Sequence, residues 1–230
     1  LYYELSEIME RENKDMIVNM LYVRSSLERA NESRREMEAV NVKLLKQSET
    51  DQMTGLANRY RLNAYSEKVL DYCYEHRLPL AMEILDIDFF KQYNDNYGHQ
   101  QGDECIIAIA DELKKMEDGQ TFCARYGGDE FIIIYAGISV EEVHAKAGAL
   151  RQNIMNLKLE HLYSKALPIV TISQGISYGV PEEGNRSWDF LHTADMLLYQ
   201  VKKRSRNDIC IADIRGQELD LSSKQEKVEP

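Results

Sequence analysis

The chain has 230 residues, of which 43% are hydrophobic, enough for one ordinary domain and an appendage. Its formal net charge of -11 argues against a nucleic-acid binder, because affinity for a phosphate backbone depends on clustered lysine and arginine. The longest apolar run near the start, residues 16–23, is shorter than the roughly 20 residues of a membrane span. We expect neither nucleic-acid binding nor a membrane segment within this chain.

Residues 1–50 contain no glycine or proline and carry an apolar stripe with a seven-residue period. The stripe consists of Tyr2, Met9, Met16, Val23, Ala30, Met37 and Leu44, which would be the d positions of a heptad. The a positions would then be Ser6, Asn13, Met20, Leu27, Arg34, Asn41 and Ser48. Together these two rows are called the heptad seam. Such a period is typical of a coiled coil. We predict a coiled-coil signalling helix over 1–50 that forms a parallel homodimer. The alternative is a long amphipathic helix packed on its own domain.

Residues 51–213 alternate helical and strand patterns. The predicted elements are a helix over 58–74, a strand over 80–88, a helix over 101–116, strands over 121–126 and 131–135, a helix over 139–159, a strand over 169–178, a helix over 187–204 and a strand over 208–212. This order predicts one α+β domain over 51–213, preceded by the long helix. Residues 214–230 are charged and polar and are predicted to form a disordered tail.

The four cysteines form no CxxC pair and lie in apolar segments. This favours reduced core residues over a disulfide or metal role, and so a cytoplasmic protein. The chain begins on Leu1 with a helical pattern already under way, so we interpret it as a piece of a longer protein. Membrane attachment of the full-length protein is left open.

The first predicted strand ends in acidic residues. Asp86 and Asp88 stand where the strand over 80–88 ends and a helix follows. Mg²⁺ prefers hard oxygen ligands and often holds substrate phosphates at the same time, and the amides at a helix start bind phosphates. For an isolated DxD pattern, solvation of a strand end and a helix cap is the favoured explanation. This motif alone therefore does not define a site.

A second acidic group lies in the predicted hairpin turn, where residues 125–131 read RYGGDEF. Gly127 and Gly128 allow a tight turn and a close approach of a ligand to the backbone, and Asp129 and Glu130 follow them. An ordinary hairpin with exposed acids has the same pattern. If the hairpin joins two central strands next to the strand that bears Asp86, however, the carboxylates meet at one edge of the sheet, where a divalent ion would offset their repulsion.

Several motifs together resemble the GGDEF family of diguanylate cyclases. They are DQMTGLANR at 51–59, DIDFFK at 86–91, GHQQGD at 98–103, RYGGDEF at 125–131, TISQGI at 171–176, and the positions Asn94, Asp195, Lys202, Arg206 and Asn207. Their order and spacing agree over about residues 50–213, which makes the resemblance specific. It implies a ferredoxin-like, nucleotidyl-cyclase-like fold with a mainly antiparallel sheet, and the condensation of two GTP into cyclic di-GMP and two pyrophosphates.

The resemblance also implies roles for individual residues. The ligands of a Mg²⁺ or Mn²⁺ ion would be Asp86, the carbonyl of Ile87, Asp129 and Glu130. The triphosphate would be bound by the amides of Phe89, Phe90 and Lys91, by the backbone at Gly127 and Gly128, and by the side chains of Lys202 and Arg206. The last two are four residues apart, which predicts that they share one face of the last helix. Catalysis would depend on Asp86, Asp129 and Glu130. The acceptor of the 3′-hydroxyl proton is left open between Glu130, metal-bound water and solvent.

Asn94 and Asp103 resemble the pair that recognises the guanine edge. An ionised carboxylate accepts hydrogen bonds from the N1 and N2 hydrogens of guanine, whereas adenine presents an acceptor at N1. We therefore predict GTP as the substrate of both subunits.

One departure concerns feedback. Many family members carry an inhibitory product site, Arg-x-x-Asp, whose Asp lies six residues before the first glycine of the signature. Residues 118–121 read DGQT instead, so we predict no feedback inhibition through this site. His99 and His144 have no metal-like spacing and are interpreted as structural or surface residues.

One such domain holds one nucleotide, whereas the product joins two. The resemblance therefore implies a homodimer with facing sites, brought together by the coiled coil and controlled by an upstream sensor domain. Two alternatives are a catalytically silent GTP-binding sensor or adaptor, and a signalling coil with a passive head.

Overall fold

The structure, a computed structural model, describes residues 49–217 and 219, and residues 16, 20, 24–29, 31, 32, 34, 35 and 37. The chain divides into two units, Leu1–Ser48 and Glu49–Pro230. The described residues of the first unit are helical, and they include an ion pair between Arg24 and Glu28 at 3.0 Å. Most heptad positions and most of the predicted tail lie outside the described residues, so the coiled coil and the tail stay predictions.

The described part of the second unit contains five helices and five strands. In chain order they are α1 (Arg59–His76), β1 (Leu80–Ile87), α2 (Phe90–Tyr97), α3 (His99–Met116), β2 (Thr121–Gly127), β3 (Glu130–Ala136), α4 (Val140–Asn156), β4 (Ile172–Gly179), α5 (Ser187–Arg204) and β5 (Ile209–Asp213). The predicted α+β class is confirmed.

The five strands form one sheet in the order β2-β3-β1-β4-β5. All neighbours are antiparallel except β4 and β5, which confirms a mainly antiparallel sheet. Strand β1 is central and buried along nearly its whole length, which explains why its sequence is a continuous apolar run with few polar residues. The register places Asp86 opposite Glu130, so the hairpin does lie beside the strand that bears Asp86. Strand β2, however, forms an edge of the sheet.

Two apolar layers pack against the two faces of the sheet. One face carries Leu85 and Phe131 against helices α3 and α4, and the other carries Met82 and Ile132 against α1 and α5. Burying each such side chain contributes about 1.5–3 kcal/mol relative to leaving it exposed. Asp86 has the same parity along β1 as Met82, so it points to the face that α1 and α5 cover.

Local signals determine where the helices begin and end. The predicted capping box of Ser139 and Glu142 starts α4, and Asn58 caps α1 by accepting a hydrogen bond from the Arg61 amide. Helix α4 ends at Asn156, three residues before the predicted end, because the chain turns at Lys158, which has a φ of 51°. Gly175 lets α5 lie directly on β4, since a Cβ there would be 2.2 Å from the Ala194 carbonyl oxygen.

The cysteines and the apolar content of the helices bear on two further predictions. All four cysteines are buried and none is in a disulfide, which confirms that they are core thiols. None of the described helices is long and apolar enough to cross a membrane.

Candidate functional site

Three acidic residues lie near the end of β1: Asp86 stands opposite Glu130 in the register of β1 and β3, and Asp129 is close enough for its charge to act on Asp86. Asp86 is 7% exposed. Burial raises its pKa to about 6, and although Lys202 lowers it, the charges of Asp129 and Glu130 raise it further. Lys202 Nζ lies 2.7 Å from Asp86 Oδ2, so α5 supplies the cation that partly balances this group. The three acids predicted as catalytic are thus brought together by β1 and the β2–β3 hairpin.

Glu130 also borders a cavity of about 200 Å³. Burial raises the pKa of Glu130, and the charges of Asp129 and Asp195 add to this while Lys202 opposes it. Two acidic residues, Glu130 and Asp195, are among those that line the cavity, together with His192. Asp195 was not predicted as a site residue. Its spacing of seven from Lys202 places both side chains on one face of a helix, which is the signal that would have indicated it.

The turn that carries Asp129 is clamped to the start of the domain by Arg125. Its guanidinium donates to the Gly128 carbonyl at 2.8 Å and to Asp51 Oδ1 at 3.1 Å. Burial alone would raise the pKa of Asp51, but hydrogen bonds from Thr54 and Arg125 hold it below its ordinary value. The motifs at 51–59 and 125–131 therefore form one structural unit, a connection that neither segment reveals alone.

Asp88, unlike Asp86, is an internal anchor. It is fully buried and accepts hydrogen bonds from Thr171 Oγ1 and Ser173 Oγ, both at 2.7 Å, and from the Asn207 amide at 2.9 Å. A buried carboxylate is stable only when it is satisfied in this way. The two interpretations that the sequence left open for residues 86–88 therefore apply to one acid each. Asp86 lies at the candidate site, and Asp88 has a structural role, because it holds neighbouring segments of the chain by hydrogen bonds.

A phosphate loop, defined here as residues 88–91, joins β1 to α2. Phe89 has a φ of 57° and precedes the first residue of α2, Phe90. The amides of Phe89, Phe90 and Lys91 lie at the helix start, where backbone N–H groups have no partner four residues earlier. This local geometry suits an anion. The three predicted phosphate-binding amides are therefore consecutive at one helix N terminus.

Arg206 reaches the phosphate loop by a different route from the one expected. Helix α5 ends at Arg204, and Arg206 has a φ of 56°, so it does not share a helix face with Lys202 as their spacing of four predicted. Its guanidinium lies 4.2 Å from the centre of the Phe89 ring and 3.4 Å from Asp88 Oδ1. The two predicted phosphate-binding cations thus contact neighbouring parts of the site from separate backbone segments.

The predicted guanine-binding pair lies on α2 and α3. Asn94 Oδ1 is buried and has no hydrogen-bond partner among the described residues. A Cβ at residue 102 would stand 1.8 Å from this oxygen, so Gly102 makes the room that the Asn94 side chain occupies. An unpaired buried acceptor costs about 1–3 kcal/mol unless a donor satisfies it. Asp103 follows Gly102 and is exposed, so its carboxylate is available to a ligand.

The segment at 118–121 forms an ion pair within the domain. Lys146 Nζ lies 2.8 Å from Asp118 Oδ2 and 3.1 Å from Thr121 Oγ1. The hydrogen bond from Lys146 lowers the pKa of Asp118 to about 2. His99 and His144 are exposed, as expected for surface residues.

No cluster of three or more His, Cys, Asp or Glu side chains within the described ranges is close enough to hold a metal ion. The donor chemistry at Asp86 nevertheless fits a divalent cation. Its neighbours Asp129 and Glu130 are hard oxygen donors, and their charges add to the effect of burial in raising the pKa of Asp86. A cation of higher charge than the Lys202 ammonium would relieve that repulsion further.

A mainly antiparallel sheet with facing carboxylates beside a helix start is the arrangement expected of a domain of the nucleotidyl cyclase type. The family described as "Diguanylate cyclase, GGDEF domain" matches residues 48–208. The chain belongs to this family.

Similar proteins agree with this assignment. A probable diguanylate cyclase of Escherichia coli K12, DgcC, is 34% identical over 163 residues, which cover 70% of this chain and 42% of that protein. The chain therefore spans less than half the length of this relative.

Two solved structures show the same fold. The coiled coil and GGDEF domain of DgcB from Caulobacter crescentus, solved with c-di-GMP, is 28% identical, with a TM-score of 0.66 over 80% of this chain and 97% of that one. The active GGEEF domain of a diguanylate cyclase from Vibrio cholerae is 31% identical, with a TM-score of 0.58 over 68% of this chain and 97% of that one.

Proposed function

We propose that this chain is the catalytic part of a diguanylate cyclase that condenses two GTP into cyclic di-GMP and two pyrophosphates. The observation that carries the proposal is the register of β1 and β3, which sets Asp86 opposite Glu130 with Lys202 bridging to Asp86. Phosphoryl transfer depends mainly on positioning and charge neutralisation, and this arrangement provides both without a covalent nucleophile.

Each part of the site has a separate task in this reaction. Asn94 and Asp103 bind the guanine edge, and the unpaired Asn94 oxygen supports this assignment because guanine offers N–H donors. The amides of the phosphate loop, together with Lys202 and Arg206, bind the triphosphate.

The metal-binding residues would be Asp86, the carbonyl of Ile87, Asp129 and Glu130. A Mg²⁺ or Mn²⁺ ion held there would neutralise the charge of the phosphates. Glu130, whose pKa is raised by burial, is the candidate to accept the 3′-hydroxyl proton, with water as the alternative acceptor.

The reaction requires two copies of the domain, because each holds one nucleotide. Four described residues of the first unit support dimerisation through the coil: Met16, Met20, Leu27 and Met37 are between 59% and 69% exposed, and all four fall on the heptad seam. Apolar side chains exposed in one register are the surface that a second identical helix covers. Four thiols without a disulfide and a GTP substrate support a cytoplasmic catalytic part.

Incubation of the chain with GTP and Mg²⁺, followed by detection of cyclic di-GMP, tests the proposal. Glu130→Gln should lower turnover by about 100-fold or more if Glu130 transfers the proton, while GTP binding persists. His144→Gln, at an exposed position on α4, is the control and should match the wild type. A confirmed dimer that binds GTP and forms no product would instead identify a silent GTP sensor.

A further inference from the structure

The segment between α4 and β4 inserts a buried histidine beneath the phosphate loop. His161 has no exposed surface. Its backbone is fixed in the segment by two hydrogen bonds of 3.0 Å, from its own amide to the Pro168 carbonyl and from the Ser164 amide to its carbonyl. The imidazole Nε2 lies 3.2 Å from the carbonyl oxygen of Phe89. Because a carbonyl only accepts, Nε2 carries the hydrogen.

Two tyrosines of α2 hold the imidazole in place. The Tyr93 ring meets it edge-on at 5.2 Å, and the Tyr97 ring does so at 6.3 Å. The Tyr97 hydroxyl also accepts a hydrogen bond of 3.0 Å from the Leu162 amide, next to His161. Burial lowers the pKa of His161, even though the Phe89 carbonyl and the charge of Asp88 raise it. The ring is therefore neutral, with one N–H and that N–H directed at Phe89.

Phe89 is the residue of the phosphate loop that most needs support. A φ of 57° is rare for any residue other than glycine and costs of the order of 1–3 kcal/mol. Phe89 is also the N-cap of α2 and makes no capping hydrogen bond with its side chain. Its carbonyl accepts from the Tyr93 amide at 3.0 Å as well as from His161, and its ring lies under Arg206. The peptide that follows Phe89 sets the direction of the Phe90 amide.

We propose that His161 is a positioning residue for triphosphate recognition: by donating to the Phe89 carbonyl, it holds the phosphate loop in its left-handed conformation. The inference rests on the proposed function insofar as the loop binds phosphates. His161 does not touch the nucleotide in this scheme and acts only through Phe89. Its effect should therefore appear in binding of the phosphates and not in binding of the guanosine part.

The test compares the affinities of GTP and of guanosine, in the presence of Mg²⁺, for the full chain and three variants. His161→Phe removes the donor and keeps an aromatic ring, and should weaken GTP binding about 10-fold, the loss of one hydrogen bond of about 1.4 kcal/mol, with guanosine binding unchanged. His161→Gln places an amide N–H near the position of Nε2 and should restore GTP binding. His144→Phe, at an exposed position, should behave as the wild type.

Two outcomes would overturn the inference. One is unchanged GTP binding by His161→Phe. The other is equal weakening of GTP and guanosine binding by both His161 variants, together with lower thermal stability, which would make His161 a core residue without a specific role. A wild-type chain that binds GTP but forms no product would contradict the proposed function. It would not affect the test of His161, because that test measures binding and not turnover.

Discussion

At the scale of single residues, the least expected side chain is Glu83, in the middle of the central strand. It is fully buried and lies on the face of the sheet opposite Asp86, since the two differ in parity along β1. Burial raises the pKa of Glu83 to about 7, although hydrogen bonds from Gln174 Nε2 at 2.7 Å and from the Tyr135 hydroxyl at 2.8 Å oppose this. At a pH between the pKa of the unfolded chain and that of the folded domain, Glu83 is therefore protonated in the folded core and ionised in the unfolded chain.

Glu83 makes folding stability depend on pH in a definite direction. Between about pH 4.5, where the unfolded chain loses this proton, and about pH 7, where the folded chain does, the folded state binds more protons. The contribution of Glu83 therefore falls as pH rises through this window, by at most roughly 3 kcal/mol. Glu83→Gln removes that dependence, so the variant should equal the wild type near the acidic end of the window and exceed it above the window.

Urea unfolding of both proteins across the window measures this difference. The other carboxylates titrate in both proteins, so subtracting the two stability curves isolates residue 83. Curves that run parallel at all pH values would show that Glu83 is ionised in the folded state.

At the scale of elements, the sequence was most informative where one apolar segment determines the structure. The hairpin, the central strand and α5 lie where the pattern placed them, because each buries a continuous apolar run or stripe. The departure of Arg206 from the face of α5 depends on two residues with positive φ, which no periodicity indicates. His161 was not predicted, since its contact with Phe89 joins residues that are far apart in the chain. Asp195 was not predicted as a site residue either, although its spacing from Lys202 on α5 could have indicated it.

The three acids Asp86, Asp129 and Glu130 also show which features the sequence indicates and which depend on tertiary structure. Asp129 and Glu130 follow from the turn, and Asp86 from the end of a strand, but only the strand order brings them to one place. The clamp of Arg125 on Asp51 depends equally on tertiary structure. Sequence motifs thus identified which residues form the candidate site, and the sheet explains why they act together.

The segment leading into β2 carries a prediction about regulation. Residues 118–121 carry Asp118 and Thr121 where the inhibitory product site has Arg and Asp, so they do not present its two opposite charges. Both side chains are also already paired with Lys146. Added cyclic di-GMP should therefore not inhibit GTP turnover through these residues, and the initial rates of the wild type and of Thr121→Val should respond to cyclic di-GMP in the same way. This substitution keeps the volume of a buried side chain. Strong product inhibition that this substitution abolishes would contradict the prediction.

At the scale of the whole molecule, the activity proposed here belongs to two chains and not to one. In the proposed reaction the two nucleotides of the product would be held by different copies, so turnover would depend on how often two domains meet. The predicted coil would raise that frequency, because it would keep the second domain at an effective concentration on the order of mM. The described seam residues Met20 and Leu27, at 69% and 60% exposed, are suited to this contact.

Met20→Asp combined with Leu27→Asp places two charges in each copy of the seam and should separate the chains. Turnover per chain should then fall by about 10³-fold at micromolar protein, the ratio of effective to free concentration, and should recover as protein concentration rises. Ser25→Asp combined with Arg29→Asp adds acids outside the seam and should preserve the dimer. Sedimentation measures assembly, and cyclic di-GMP formation measures turnover. If the seam variant stays dimeric and fully active, residues 1–50 do not bring the catalytic domains together, and the long helix instead packs on its own domain.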